Sequence, residues 1–287
     1  MNLIFIIIVL SSERYVGSID KLRSTEWLIK TGLWVQNRGI RFRGLLGVLL
    51  TVLPLPLIIG IIEFNLEQLM FAYGSVFSLI ILFFCLGPKS FYIQVKNFID
   101  AYNKNNLPAA DEFAKSLIDR ATLEVHEKNL PNLVVEALLI VLNERILGVF
   151  FWFLVLGPTG AVLFRAIITL KNAKADNEQE AFNKAAKKIA FFINWPNSHL
   201  VALSYAVVGH FVVALSQIKK PSLTCNTRWN DPNDCMLICA GIGALHFSPD
   251  KDSSPTTIIS ATLAMVRRTI TLWVGVIALL TLGGWID

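Results

Sequence analysis

The side chains able to do chemistry are few, and most stand beside apolar runs. Asn143-Glu144-Arg145 comes directly before Ile146 to Phe164, a run with no charged residue. A carboxamide, a carboxylate and a guanidinium in succession at the mouth of a membrane cavity could hold a ligand. They could equally mark an interfacial boundary, with Arg145 extended toward lipid head groups. Glu13-Arg14, just after the apolar start Met1 to Leu10, poses the same choice. His210 follows Gly209 inside the apolar stretch Val201 to Gln217. An ionisable group at membrane depth is a functional candidate by default; the plainer reading is an imidazole satisfied by a neighbouring carbonyl.

Other motifs carry less. Cys225, Cys235, Cys239 and His246 fall in a C-x9-C-x3-C-x6-H spacing, which matches no standard zinc pattern. Three cysteines leave one over from a disulfide, so thiols are expected there, and Cys85 reads as packing. His126, His199, His210 and His246 form no H-x-x-x-H pair. There is no P-loop and no G-x-S-x-G elbow, and Gly241-x-Gly243 is too short to argue phosphate binding. The sequence therefore points to no catalytic set and no metal site.

The elements that must position these residues follow from composition. The chain has 287 residues, 54% hydrophobic and 16% charged, with mean hydropathy +0.56. Soluble domains carry about 25% charged residues. Disorder, an ordinary cytosolic globule, collagen and coiled coil are excluded. The expected fold is all-α: a polytopic integral membrane helical protein with amphipathic cytoplasmic or interfacial helices, one membrane domain over residues 1–287. The net charge of +5 fits the Lys/Arg excess of cytoplasmic loops. No RNP, helix-turn-helix or zinc-finger spacing supports nucleic acid as a partner.

Segment by segment, residues 1–43 read as an apolar start too short to span and a basic cytoplasmic stretch. Residues 44–87 read as a transmembrane hairpin of Gly44 to Ile62 and Leu69 to Gly87, kinked at Pro54 and Pro56, with the acidic connection 63–68 outside. Residues 88–145 read as a cytoplasmic helical segment containing an amphipathic helix, Asp111 to His126. Within 146–217, Gly157-Pro158-Thr159-Gly160 predicts a re-entrant hairpin, because such a turn breaks a helix and both flanks are basic; a full crossing is the alternative. Residues 218–268 read as loop-rich and 269–286 as the last span. No internal repeat is visible, which argues against a transporter.

In their order and spacing these features resemble the AmpE family, inner-membrane proteins encoded beside the AmpD amidase and described as modulators of β-lactamase induction. The matching residues are Glu13-Arg14, the hairpin 44–87, Asn143-x-Arg145 leading to Phe150-Phe151-Trp152-Phe153 and Gly157, Ile193-Asn194-Trp195-Pro196, and Ser204 to His210. That family is similar in turn to the CobD/CbiB proteins, which join an aminopropanol unit to a corrinoid carboxylate with ATP. The synthase pattern expects acidic or amide residues where Val141, Leu142 and Arg145 stand. It expects a paired Asp at Ala190 and Phe191, and Arg at His199. Leu, Phe and Ala cannot hold Mg²⁺.

The resemblance thus implies a non-catalytic, AmpE-like signalling protein of the bacterial inner membrane, multi-pass, without a cofactor. Asn143, Glu144, Arg145, Asn194 and His210 are expected to line a cytoplasm-facing cavity, with Glu13 and Arg14 as further candidates. The expected partners are the bilayer, a membrane or cytoplasmic protein and a second copy of the chain. The alternative is a CobD/CbiB-like amide-forming enzyme with displaced acids, which would bring ATP and Mg²⁺.

Overall fold

The structure, a computed structural model, describes residues 5–6, 26–36, 44–69, 71–86, 91–118, 130–173, 180–219, 229, 231–246 and 254–284. It is helical, with no strand among the described residues. The helices are α1 (Glu26–Gln36), α2 (Leu45–Val52), α3 (Pro54–Leu69), α4 (Phe71–Cys85), α5 (Phe91–Asn103), α6 (Leu107–Ile118) and α7 (Leu130–Leu142). A π-helical turn (Asn143–Leu147) leads into α8 (Gly148–Asn172), followed by α9 (Glu180–Val208), α10 (Phe211–Lys219), α11 (Pro232–Leu245) and α12 (Pro255–Leu282). Among the described residues, three helical stretches are long and apolar enough to cross a membrane: Leu45–Leu69, Leu130–Asn172 and Pro255–Leu282. Leu57, Ile58, Ile61 and Phe64 of the first are exposed, as is Leu279 of the last. Apolar surface on this scale suits lipid rather than water, and the chain is a helical membrane protein.

The chain divides into two compact units interleaved in sequence. Unit 1 takes Met1–Pro88, Glu144–Asn194 and Ile277–Asp287; unit 2 takes Lys89–Asn143 and Trp195–Val276. In unit 1, α3 packs on α4, and both pack on α8. A buried core joins Leu28 of α1, Val48 and Val52 of α2, Ala166, Ile167 and Leu170 of α8, and Phe182, Ala186 and Ala190 of α9. In unit 2, α5 packs on α6, α6 on α7, and α11 against both α7 and α10. Nearly every residue of α7 is buried.

Several boundaries differ from the sequence reading. The acidic segment 63–68 is no loop: α3 continues to Leu69, because Glu63, Glu67 and Gln68 are good helix formers. Residues 218–268 are not loop-rich over 232–245 and 255–268, which are helical. Prolines there open helices instead of breaking them: Pro232 follows the N-cap Asp231, whose side chain accepts from the Asn233 amide. The last helix starts at Pro255, fourteen residues before the expected Thr269. The apolar stretch Val201 to Gln217 is interrupted at Gly209-His210, where the His210 amide donates to the Ala244 carbonyl at 2.9 Å. Leu130–Leu142, expected within a cytoplasmic segment, is apolar and buried.

The turn expected at Gly157 is present. Gly157 has φ 66° and ψ −157°, a region essentially reserved for glycine. In a straight helix, residues 144 and 171 would lie about 40 Å apart. Here their side chains meet at 3.2 Å, so the chain reverses direction at Gly157. A Cβ on Gly160 would collide with the Trp152 carbonyl, which shows how closely the two arms approach. The returning arm, residues 158–172, is about 20 Å long, shorter than a bilayer's hydrocarbon thickness of about 30 Å. At the hairpin tip, Thr159 lies beside Gly60, and Gly157 beside the Glu63 carboxylate, which accepts from the Ser78 hydroxyl at 3.2 Å.

Candidate functional site

The π turn is the local feature that sets the site. Widening one turn to i→i+5 spacing rotates the following residues relative to an α-helix, and such turns recur at functional sites. Here it carries Asn143, Glu144 and Arg145, all buried: Asn143 is fully covered and the other two are 5% exposed. Arg145 is therefore covered by protein and not extended into open surroundings. The residues before the triplet, 137–142, are as apolar and buried as those after it. Polar groups in such surroundings must be hydrogen-bonded or paired.

The pairing is different in the two units. In unit 2, the Asn197 amide donates to the Asn143 carbonyl oxygen at 2.7 Å, and the Asn143 amide donates to the Ser198 hydroxyl at 3.2 Å. The Tyr205 hydroxyl donates to the Leu139 carbonyl at 2.7 Å. The Trp229 indole donates to Glu136 at 2.6 Å, and the Cys235 thiol donates to the Trp229 carbonyl at 3.4 Å.

In unit 1, Glu144 accepts from Lys171 at 3.2 Å and from the Asn172 amide at 3.0 Å. Both members of the ion pair are nearly sealed, with side chains 6% and 5% exposed. This pair closes the open end of the hairpin whose tip is Gly157. Arg145 and Arg165 are buried in the same unit. Asn194 is also fully buried there, one residue after Ile193, whose carbonyl accepts from the Trp152 indole at 3.2 Å. The buried charged side chains of the hairpin are thus Arg145, Arg165 and Lys171 with Glu144.

Of the remaining candidates, His210 belongs to unit 2. It is exposed, with its ring against His246. His199 is exposed, its Nδ1 bonded to the Trp195 carbonyl at 2.7 Å. Glu13 and Arg14 lie outside the described residues, as do Cys225 and His126. Cys85, Cys235 and Cys239 are buried, and no disulfide occurs among the described residues. Gly241-x-Gly243 serves packing: a Cβ on Gly243 would lie 2.8 Å from the Ala214 Cα, and one on Gly241 would strike Leu139.

Sequence reasoning missed Lys171, Asn172, Asn197 and Ser198 as partners. One rule could have found Lys171: a carboxylate within an apolar segment needs a cation. Lys171 ends the returning arm as Glu144 begins the outgoing one.

Comparison with known proteins decides the family. The sequence matches the family described as CobD/Cbib protein over residues 8–254. The chain belongs to the CobD/CbiB family. It is 28% identical over 215 residues to a protein of Stutzerimonas stutzeri named cobalamin biosynthesis protein CobD, covering 73% of this chain and 67% of that one. It is 29% identical over 170 residues to a CobD of Chromobacterium violaceum, covering 58% of this chain and 53% of the relative. A probable CobD of Methanocaldococcus jannaschii is 23% identical over 225 residues, covering 74% and 73%. The chain thus spans about two thirds of the first relative's length and about half of the second's. No solved structure matches it. The AmpE resemblance therefore resolves to the CobD/CbiB family, and a signalling role is not what these relatives are named for.

Mg²⁺ with ATP, which the enzyme alternative implies, asks for hard oxygen ligands. Among the described residues no three His, Cys, Asp or Glu side chains gather to hold a metal. Glu144, the buried carboxylate of the hairpin, is engaged by Lys171 and Asn172. The described residues thus hold no ready-made metal cluster; Mg²⁺ carried on a nucleotide asks for only one or two protein carboxylates beside the phosphates.

Proposed function

We propose that the chain serves cobalamin-type biosynthesis at the bacterial inner membrane, in the amide-forming step that joins an amine to a corrinoid carboxylate. The observation that carries this reading is the family match over residues 8–254, with three CobD-named relatives. The chain's own contribution is positional. Arg145 and Arg165 supply planar, permanently charged donors that suit a carboxylate. The Glu144–Lys171 pair holds the hairpin that carries Arg165. Burial strengthens this electrostatic recognition relative to an exposed site. The experiment supplies membranes containing the protein with a corrinoid acid, aminopropanol and nucleoside triphosphate, and follows the amide product by mass spectrometry. Product formed by the wild type and lost in Arg165→Gln supports the reading. No product above that of empty membranes overturns it.

A second reading has one observation in its favour. Val141, Leu142, Arg145, Ala190 and Phe191 occupy positions where the synthase pattern carries acids or amides, and all but Phe191 are buried. A protein that retains the scaffold and binds an anionic ligand without turning it over is the AmpE-like modulator. Deleting its gene would then change β-lactamase induction and leave cobalamin-dependent growth untouched.

A further inference from the structure

His210 and His246 lie far apart in sequence, yet their ring centroids are 4.6 Å apart with planes at 47°. Their closeness is fixed by backbone. His210 immediately follows the end of α9, and its amide donates to the Ala244 carbonyl at 2.9 Å. His246 ends α11 in the left-handed conformation, φ 44° and ψ 42°, with its amide bonded to the Gly243 carbonyl at 3.2 Å. That conformation is uncommon for a residue with a Cβ. Gly209 and Gly243 allow the approach: a Cβ on Gly209 would collide with the Ala244 carbonyl, and one on Gly243 would meet the Ala214 backbone. Two imidazoles are thus mounted on a rigid joint between α9–α10 and α11, within unit 2.

Both rings are exposed. An imidazole-bound metal sits about 2.1 Å from nitrogen, hence about 3.2 Å from the ring centroid. Two rings sharing one ion then have centroids separated by roughly 4.5 to 5.2 Å, from a right-angled to a tetrahedral arrangement. The observed 4.6 Å lies in that range. Imidazole pairs suit borderline divalent ions and leave hard cations such as Mg²⁺ to oxygen ligands.

We propose that His210 and His246 form a two-histidine site for a divalent transition-metal ion, with water completing the coordination. The ion ties the end of α9 to the end of α11. This site is independent of the amide-forming reading, since it uses neither the hairpin nor the π turn.

The test is Zn²⁺ binding to the full chain in detergent, by calorimetry, in a Cys225→Ser background so that this thiol is not a competing ligand. The comparison set is His210→Gln, His246→Gln and the control His199→Gln. Loss of groups that merely support a metal ligand weakens affinity about 10–100-fold, so loss of a ligand itself should weaken it by about tenfold or more. The expected result is saturable binding, weakened to that extent in the first two variants and unchanged in the third. Both rings are exposed, and circular dichroism checks that each variant folds. No saturable binding overturns the proposal, as does binding that survives both His210→Gln and His246→Gln. Amide formation, measured separately, fails or succeeds without reference to this result.

Discussion

Replacing Lys171 by Met removes the cation that faces Glu144 inside the hairpin. At the observed 3.2 Å, the pair's attraction is about 5 kcal/mol at an effective dielectric constant of roughly 20. Most of that is offset by the cost of burying two charges. Removing one partner is different, because Glu144 stays buried without the Lys171 charge, keeping the Asn172 amide as a donor. Breaking a buried pair in this way costs about 3–5 kcal/mol. With roughly 2–4 °C per kcal/mol for chains of this size, the unfolding midpoint should fall by about 6–20 °C. Glu144→Gln should destabilise for the converse reason, leaving Lys171 buried beside a neutral amide. The double variant should lose less than the two singles combined, with a coupling of about 0.5–3 kcal/mol. The assay is thermal unfolding of purified protein in one detergent at one scan rate, with all four proteins side by side. If both single changes fall within about 0.5 kcal/mol of wild type, as exposed sites do, the hairpin is not closed by this pair. If the two effects simply add, the residues do not interact, and the reversal at Gly157 loses its main support.

Other outcomes follow from the same packing. Gly157→Ala forces a side chain into a glycine-only conformation and should cost about 1–3 kcal/mol. Gly275→Ala, in open space within α12, should be neutral or stabilising by up to about 1 kcal/mol; the reverse order of the two in a melt would refute the turn. Gly243→Ala should cost about 1–3 kcal/mol, since the new methyl meets the Ala214 backbone at 2.8 Å. That variant should also weaken Zn²⁺ binding by moving His246. Tyr205→Phe removes a buried 2.7 Å hydrogen bond to the Leu139 carbonyl and should lower stability by about 1–3 kcal/mol; an unchanged urea midpoint would show that the bond contributes nothing.

The helical membrane class is legible in composition, because few charged residues among many apolar ones leave little else. The turn at Gly157 is legible as well, from Gly-Pro-Thr-Gly inside an apolar run with basic flanks, with a full crossing as the competing reading. What the sequence concealed was long-range pairing. Nothing in the sequence showed that Glu144 pairs with Lys171 or that Glu136 engages Trp229. Such partners lie 27 and 93 residues away, beyond any periodicity. The prolines after residue 218 signalled loops, yet Pro at a first helical position is as consistent with a helix start. His210 was legible as unusual for its apolar setting, but its neighbour His246 was not, because the contact arises from one backbone bond between separate helices.

The central claim is that the chain does CobD-type work, and its most direct test is growth. A cobalamin-requiring bacterium deleted for its own CobD-type gene would be given this chain on a plasmid, with Arg165→Gln and the empty vector as comparisons. Restored growth on cobalamin precursors by the wild type, lost in Arg165→Gln at equal membrane abundance, is the result expected. No growth from a protein present in the membrane at normal abundance would contradict the claim, and the non-catalytic modulator would become the reading to pursue.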